Sequence, residues 1–177
     1  MNATTVSVRR LGAEEAHACN AALCDVLIDC VHGGASVSFM APLAEAKARE
    51  FWHGVADGVA CGDRVLLVAE DAAGGIVGTV QVVFAQPENQ PHRADVAKML
   101  VHRRARRRGI GGMLMEAGEA AARAAGKTVL VLDTATGSDA ERLYQRMGWQ
   151  WVGVVPDYAL WPDGRMCATT YYCKAID

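Results

Sequence analysis

The chain has 177 residues, is 51% hydrophobic, and sets 18 Lys and Arg against 20 Asp and Glu for a formal net charge of −2. This predicts one domain over residues 1–177 with a sizeable core and no room for a second. The slightly acidic balance speaks against a nucleic-acid partner, and no apolar run approaches the length of a membrane span.

Glu14, Glu15, Asp25 and Asp29 interrupt the first thirty residues, so no signal peptide is expected there and a cytoplasmic location is. Six cysteines without a C-x-x-C pair read as buried free thiols. Five histidines, none paired at helical ligand spacing, predict no metal.

In chain order, Val6 to Leu11 reads as a strand, followed by an acidic helical start at Gly12-Ala13-Glu14-Glu15. That helix is expected to run to about Val31 with Leu23, Val26, Leu27 and Cys30 on one face, until His32-Gly33-Gly34 breaks it. Pro42 is expected to open a second helix reaching Ala60. Residues 65–69 and 76–85 flank Asp71-Ala72-Ala73-Gly74-Gly75 and predict a hairpin. Arg93 to Val101 predicts a central strand, with Ala94, Val96, Lys98 and Leu100 on one face and Asp95, Ala97, Met99 and Val101 on the other. Asp95 and Lys98 are its polar exceptions and require an explanation.

Ile110 to Ala125 repeats apolar residues at helical spacing and stops at Gly126. Thr128 to Leu132 predicts a buried strand ending in Asp133-Thr134. Ser138 and Glu141 predict a capping box for a short helix carrying Leu143, Tyr144 and Met147. Trp149 to Val155 and Met166 to Lys174 predict two last strands, joined by a loop over 156–165. The order β-α-α-β-β-β-α-β-α-β-β combines antiparallel hairpins with one crossover at 93–134. It predicts an α/β or α+β fold with a single mixed sheet of about seven strands and about four helices.

Five arginines occupy positions 103 to 108, directly before Gly109-Ile110-Gly111-Gly112. Glycines at a helix start let backbone N–H groups face an anion, so this stretch reads as a phosphate cradle. It is not a Rossmann turn, because position 114 is Leu and the arginines separate the glycines from the strand. Gly126-Lys127-Thr128 leads from helix into strand, the reverse of a Walker motif, and no G-x-S-x-G elbow supplies a serine nucleophile.

Arg106-x-x-Gly109-x-Gly111, following the strand Val96 to Val101, resembles the acetyl-CoA signature of the GNAT N-acetyltransferase superfamily. Ala140-Glu141-Arg142-Leu143-Tyr144 through Gly148-Trp149 resembles that family's second signature. Residues 31–37, 93–96, 132–134 and 162–165 are similar to the tabtoxin resistance acetyltransferases, which acetylate the amine of a β-lactam amino acid. The resemblance implies an acetyl-CoA-dependent N-acetyltransferase acting on the primary amine of a small molecule, with a role in antibiotic resistance. The alternative is a non-catalytic acyl-CoA or nucleotide sensor on the same fold. The expected assembly is a monomer or homodimer.

The resemblance also implies site residues. Met99, Leu100 and Val101 would accept the pantetheine arm, and Arg104, Arg106, Arg107, Arg108, Gly109, Ile110, Gly111 and Gly112 the phosphates. Tyr144 would protonate the leaving thiolate, or it is a packed helix aromatic. Asp95 or Asp133 would take the amine proton, directly or through water. Alternatively Asp95 pairs with Lys98 or Arg93, and Asp133 caps a turn. Asp95 stands where many relatives carry Glu, and Gly137 where many carry Asn. His32, Gly33, Gly34, Ser36, Tyr158 and Trp161 are the expected acceptor lining.

Overall fold

The expected alternation of segments resolves, in a computed structural model describing residues 6–176, into seven strands and five helices. They run β1 (Ser7–Leu11), α1 (Ala13–Ala18), α2 (Asn20–His32), α3 (Glu45–Ala60), β2 (Arg64–Glu70), β3 (Ile76–Phe84) and β4 (Arg93–Val101). A 3₁₀ turn (Arg103–Ala105) leads to α4 (Ile110–Ala124), β5 (Val129–Ala135), α5 (Asp139–Arg146), β6 (Gln150–Leu160) and β7 (Met166–Ala175). One sheet orders them β1-β2-β3-β4-β5-β7-β6. Neighbours are antiparallel except β4 and β5, which the α4 crossover makes parallel.

Each face of the sheet carries its own core. On one, Ile110, Leu114 and Met115 of α4 pack with Val80, Val82, Val96, Leu130 and Leu132. On the other, Leu23, Leu27, Trp52 and Val55 of α2 and α3 cover Leu66, Val68, Ile76 and Leu100. A fully buried Leu or Val contributes roughly 1.5–3 kcal/mol, so these two layers hold the sheet flat against its helices.

Four boundaries differ from the sequence expectation. The first long helix breaks at Cys19, where Asn20 turns inward and donates to Arg49 O of α3 at 3.2 Å. Pro42 does not open α3; the chain stays irregular because Leu43 is buried and its N–H donates to His32 Nε2 at 3.3 Å, and Ala44 precedes the helix. The Ser138 capping box does not form. Ser138 Oγ lies 3.3 Å from Thr134 Oγ1, and Glu141 accepts from Gly137 N instead. β6 continues through Pro156 to Leu160, because an edge strand tolerates a missing N–H, and the irregular pairing between Val155 and Ala159, with Asp157 at φ 50°, absorbs it.

β4 positions the rest of the molecule. Gln81 faces Ala97 and Thr79 faces Leu100, so Lys98 and Met99 stand opposite Val80 alone. This bulge inverts the expected alternation: Ala94 and Val96 pack toward α4, whereas Leu100 packs toward α2 and α3. Lys98 takes φ 49°, and its carbonyl accepts from the fully buried Thr79 Oγ1 at 2.9 Å. Beyond the bend β4 leaves β5. The two pair only at Arg93↔Val129, Ala94↔Leu130 and Asp95↔Val131, after which β4 follows β3 and β5 follows β7.

Candidate active site

The gap between the diverging strands opens into a cavity of about 810 Å³. At one end stands the N-terminus of α4. Gly109 adopts φ 78° before the helix, no side chain caps the first turn, and no acidic residue lies in it. The N–H groups of Ile110, Gly111 and Gly112 therefore have no helical acceptor, and these residues line the cavity. A Cβ on Gly111 would stand 3.0 Å from Leu143 Cδ2 and 3.6 Å from Met99 Sδ, so glycine keeps the backbone open to an approaching group.

The arginines divide. Arg103 turns to α2, where its backbone N–H and Nε donate to Asp29 at 2.8 and 2.9 Å. Burial would raise the Asp29 carboxyl, but the Arg103 hydrogen bonds and the charges of His102 and Arg103 prevail and hold it below the usual carboxylate range. Arg104 also faces α2, 3.7 Å from Asp25. Arg106 and Arg107 line the cavity, and Arg106 Nε donates to Val101 O at 3.1 Å. Neither Arg104 nor Arg108 contributes to the wall.

Met99, Leu100 and Val101 form the strand side of the wall, and Tyr144 of α5 faces it from across the gap. Tyr144 is 5% exposed, with its ring 6.1 Å from those of Trp149 and Tyr172. Burial, reinforced by the negative charge of Asp133, pushes its pKa above the ordinary phenol value, so it carries its proton at neutral pH. Asp133 sits in the same wall, exposed, with Thr169 Oγ1 3.3 Å from Oδ2; Thr169 also donates to Thr134 O at 3.0 Å. Asp95 is not in the wall. It pairs with Arg93 Nη1 at 2.5 Å.

The far end is closed by two loops. Gly33, Gly34 and Ser36 approach from the end of α2, and Tyr158 and Trp161 from the end of β6. Ser36 Oγ donates to Leu160 O at 2.9 Å, and Ala41 N donates to Pro162 O at 3.1 Å, which tie the loops together. Tyr171 OH donates to Tyr158 OH at 3.0 Å, and that contact first, then burial, raises the Tyr171 pKa to about 12. His32 lines instead an adjoining pocket of about 340 Å³ that shares Gly33, Gly34 and Trp161.

Two wall residues carry little or no functional signal in the sequence. Thr169 gave no signal, because it lies 36 positions from Asp133. Lys98 signalled itself only as a charge on an apolar strand. Its Nζ donates to Ser38 Oγ at 3.1 Å and lies 5.6 Å from the centre of the Phe51 ring. Among the described residues no group of His, Cys, Asp and Glu could hold a metal ion, and no helix is long and apolar enough to cross a membrane.

A family model described as an acetyltransferase (GNAT) domain matches residues 62–151. The fold matches the yncA protein of Salmonella typhimurium, solved with its cofactor acetyl-CoA, at a TM-score of 0.80 and 18% identity over 98% of this chain and 95% of that one. It matches a GCN5-related N-acetyltransferase of Kribbella flavida at 0.78 and 22%, over 96% and 97% of the two chains. A phosphinothricin acetyltransferase of Sinorhizobium meliloti in complex with acetyl-CoA matches at 0.78 and 17%, over 97% and 89%.

Proposed function

Because the chain belongs to the GNAT acetyltransferase family, we propose that residues 1–177 form one acetyltransferase domain that moves acetyl from acetyl-CoA to the primary amine of a small molecule. The observation that carries this reading is the alignment of three features along one cavity: an uncapped helix N-terminus, a strand segment unpaired on its β5 edge and a buried phenol. The cofactor fits that track. The α4 N–H groups would hold its pyrophosphate, and the Met99 to Val101 backbone its pantetheine arm. Arg107 adds charge from the wall, while Arg104 stays with α2.

The residues divide the proton work. A neutral amine is the nucleophile, so Asp133, exposed at the cavity wall, takes the ammonium proton directly or through a water. A backbone N–H of β4 offers a hydrogen bond where charge develops on the carbonyl oxygen. Tyr144, which burial keeps protonated across the neutral range, gives its proton to the departing thiolate. Asp95, engaged with Arg93 outside the wall, is the weaker base candidate.

The acceptor we favour is an amino-acid-like antimetabolite or antibiotic, of the type the tabtoxin resistance acetyltransferases modify. Its supports are the sequence resemblance and the fold likeness to a phosphinothricin acetyltransferase. Acetyl-CoA-dependent thiol release across a panel of amines, including lactam and amino-acid antimetabolites, tests the reaction. Release with at least one amine is the expected result; no thermal shift with millimolar acetyl-CoA would sink the reading.

A further inference from the structure

A cation that has lost water normally keeps an anion beside it, since an unpaired charge in a protein interior is costly. Lys98 is partly buried and lines the cavity, and its ammonium reaches Ser38, a wall residue of the loop that follows α2. Its contacts are neutral: the Ser38 hydroxyl at 3.1 Å and the Phe51 ring at 5.6 Å. Among the described residues no carboxylate lies within 4 Å of it. The formal charges acting on it are Asp133, which attracts it, and Arg64, which repels it.

Lys98 also reaches this place at a backbone cost. It is a side-chain-bearing residue at φ 49°, in a bulge that puts it and Met99 against the single residue Val80. A residue with a Cβ is strained in that conformation. Without the bulge, the alternation set by Ala94 and Val96 would send position 98 into the apolar layer under α4. The fold thus spends strain and desolvation on bringing one ammonium into the cavity.

The other charged wall residues of the cavity are Asp133, Arg106 and Arg107 before α4, and Asp139 and Arg146 of α5, whereas the loops beside Lys98 contribute glycines, Ser36, Ser38 and aromatic rings. Lys98 and Asp133, on the wall of one cavity and neither with a salt-bridge partner among the described residues, match a ligand that carries both signs. We propose that Lys98 is the specificity-determining residue for the acceptor, anchoring an anionic carboxylate-type group while Asp133 receives the ammonium end. This rests on the acetyl-transfer reading and narrows it to zwitterionic amines. Burial, which lowers the Lys98 pKa, is then relieved when the anion arrives.

The test uses the full chain and a panel of L-amino acids, each paired with its primary carboxamide, read by acetyl-CoA-dependent thiol release and by thermal shift in the presence of CoA. The wild-type protein is expected to prefer carboxylates by roughly tenfold or more in kcat/KM, as a charge-assisted contact gives. Lys98→Met should collapse that preference by raising KM for the carboxylate, and Lys98→Arg should restore part of it. Circular dichroism and acetyl-CoA affinity establish that both variants fold. Transfer without a carboxylate preference, or a preference that survives Lys98→Met, overturns the proposal while leaving acetyl transfer intact. Transfer to no amine defeats the broader reading; in that case the thermal shift decides for Lys98, where a carboxylate-induced shift lost in Lys98→Met supports it and no shift with any carboxylate overturns it.

Discussion

The end of the cavity at Gly109 to Gly112 consists of consecutive residues acting through their backbone, whereas the end at Ser38 and Lys98 consists of side chains brought together from 60 positions apart. The first end takes its shape from conformation: a left-handed glycine, an uncapped helix and a strand that leaves its neighbour. The second takes its shape from tertiary contacts, including the Ser36 to Leu160 hydrogen bond across 124 positions. A backbone cradle is indifferent to what surrounds it and suits an invariant ligand. A cage of side chains changes with any one of them, and suits a ligand that differs between relatives.

Tyr144 stands where the two ends meet, so its removal gives the largest expected effect. Tyr144→Phe keeps the ring that packs between Trp149 and Tyr172 and removes the proton. We expect kcat to fall roughly 10²- to 10³-fold, with acetyl-CoA affinity within about twofold, in steady-state kinetics paired with calorimetry. An unchanged kcat would make Tyr144 a packed aromatic and favour a sensor over an enzyme.

Gly111→Val attacks the backbone end alone. Its side chain would meet Leu143 Cδ2 and Met99 Sδ, filling the approach to the helix N-terminus. Acetyl-CoA binding should weaken about a hundredfold, near 2.7 kcal/mol, by calorimetry. Undiminished binding would place the cofactor elsewhere and remove the distinction between the ends. A smaller effect separates the two carboxylates: Asp133→Asn should lower kcat/KM about tenfold, and Asp95→Asn about twofold or less, since its partner is Arg93. The reverse order would move the base to β4.

The same contrast explains what could be read from the sequence. The helix start at Gly109, the crossover from β4 to β5 and the hairpin of β2 and β3 follow from local patterns, because turn glycines and apolar periodicity act over a few residues. The segment Arg93 to Val101 was legible as a central strand but not as a bulged one. Nothing local marks a lysine for positive φ; the buried Thr79 hydroxyl that holds its carbonyl comes from β3. Pro156 likewise reads as an interruption, and only its place on the sheet edge lets β6 run past it. The arginine run reads as one basic patch, yet Asp25 and Asp29 on α2 draw Arg103 and Arg104 away from the cavity.

Lys98 offers the smallest effect and the one that best separates a functional residue from a structural one. An ammonium whose pKa burial lowers holds its proton less tightly in the folded chain than in the unfolded one, so its charged form subtracts from stability. Lys98→Met should therefore stabilise the ligand-free protein, by about 1 kcal/mol given that the side chain is only partly buried, or about 2–4 °C in thermal midpoint. The gain should be full below the folded pKa of Lys98 and shrink as pH rises through it toward the ordinary lysine value, because the wild-type chain then sheds the proton and its penalty together. A variant that is more stable yet less selective is what a residue kept for its ligand produces. A loss of stability on Lys98→Met, measured by calorimetry across that pH range, would instead assign the ammonium to the fold through Ser38 and Phe51 and remove Lys98 from acceptor selection.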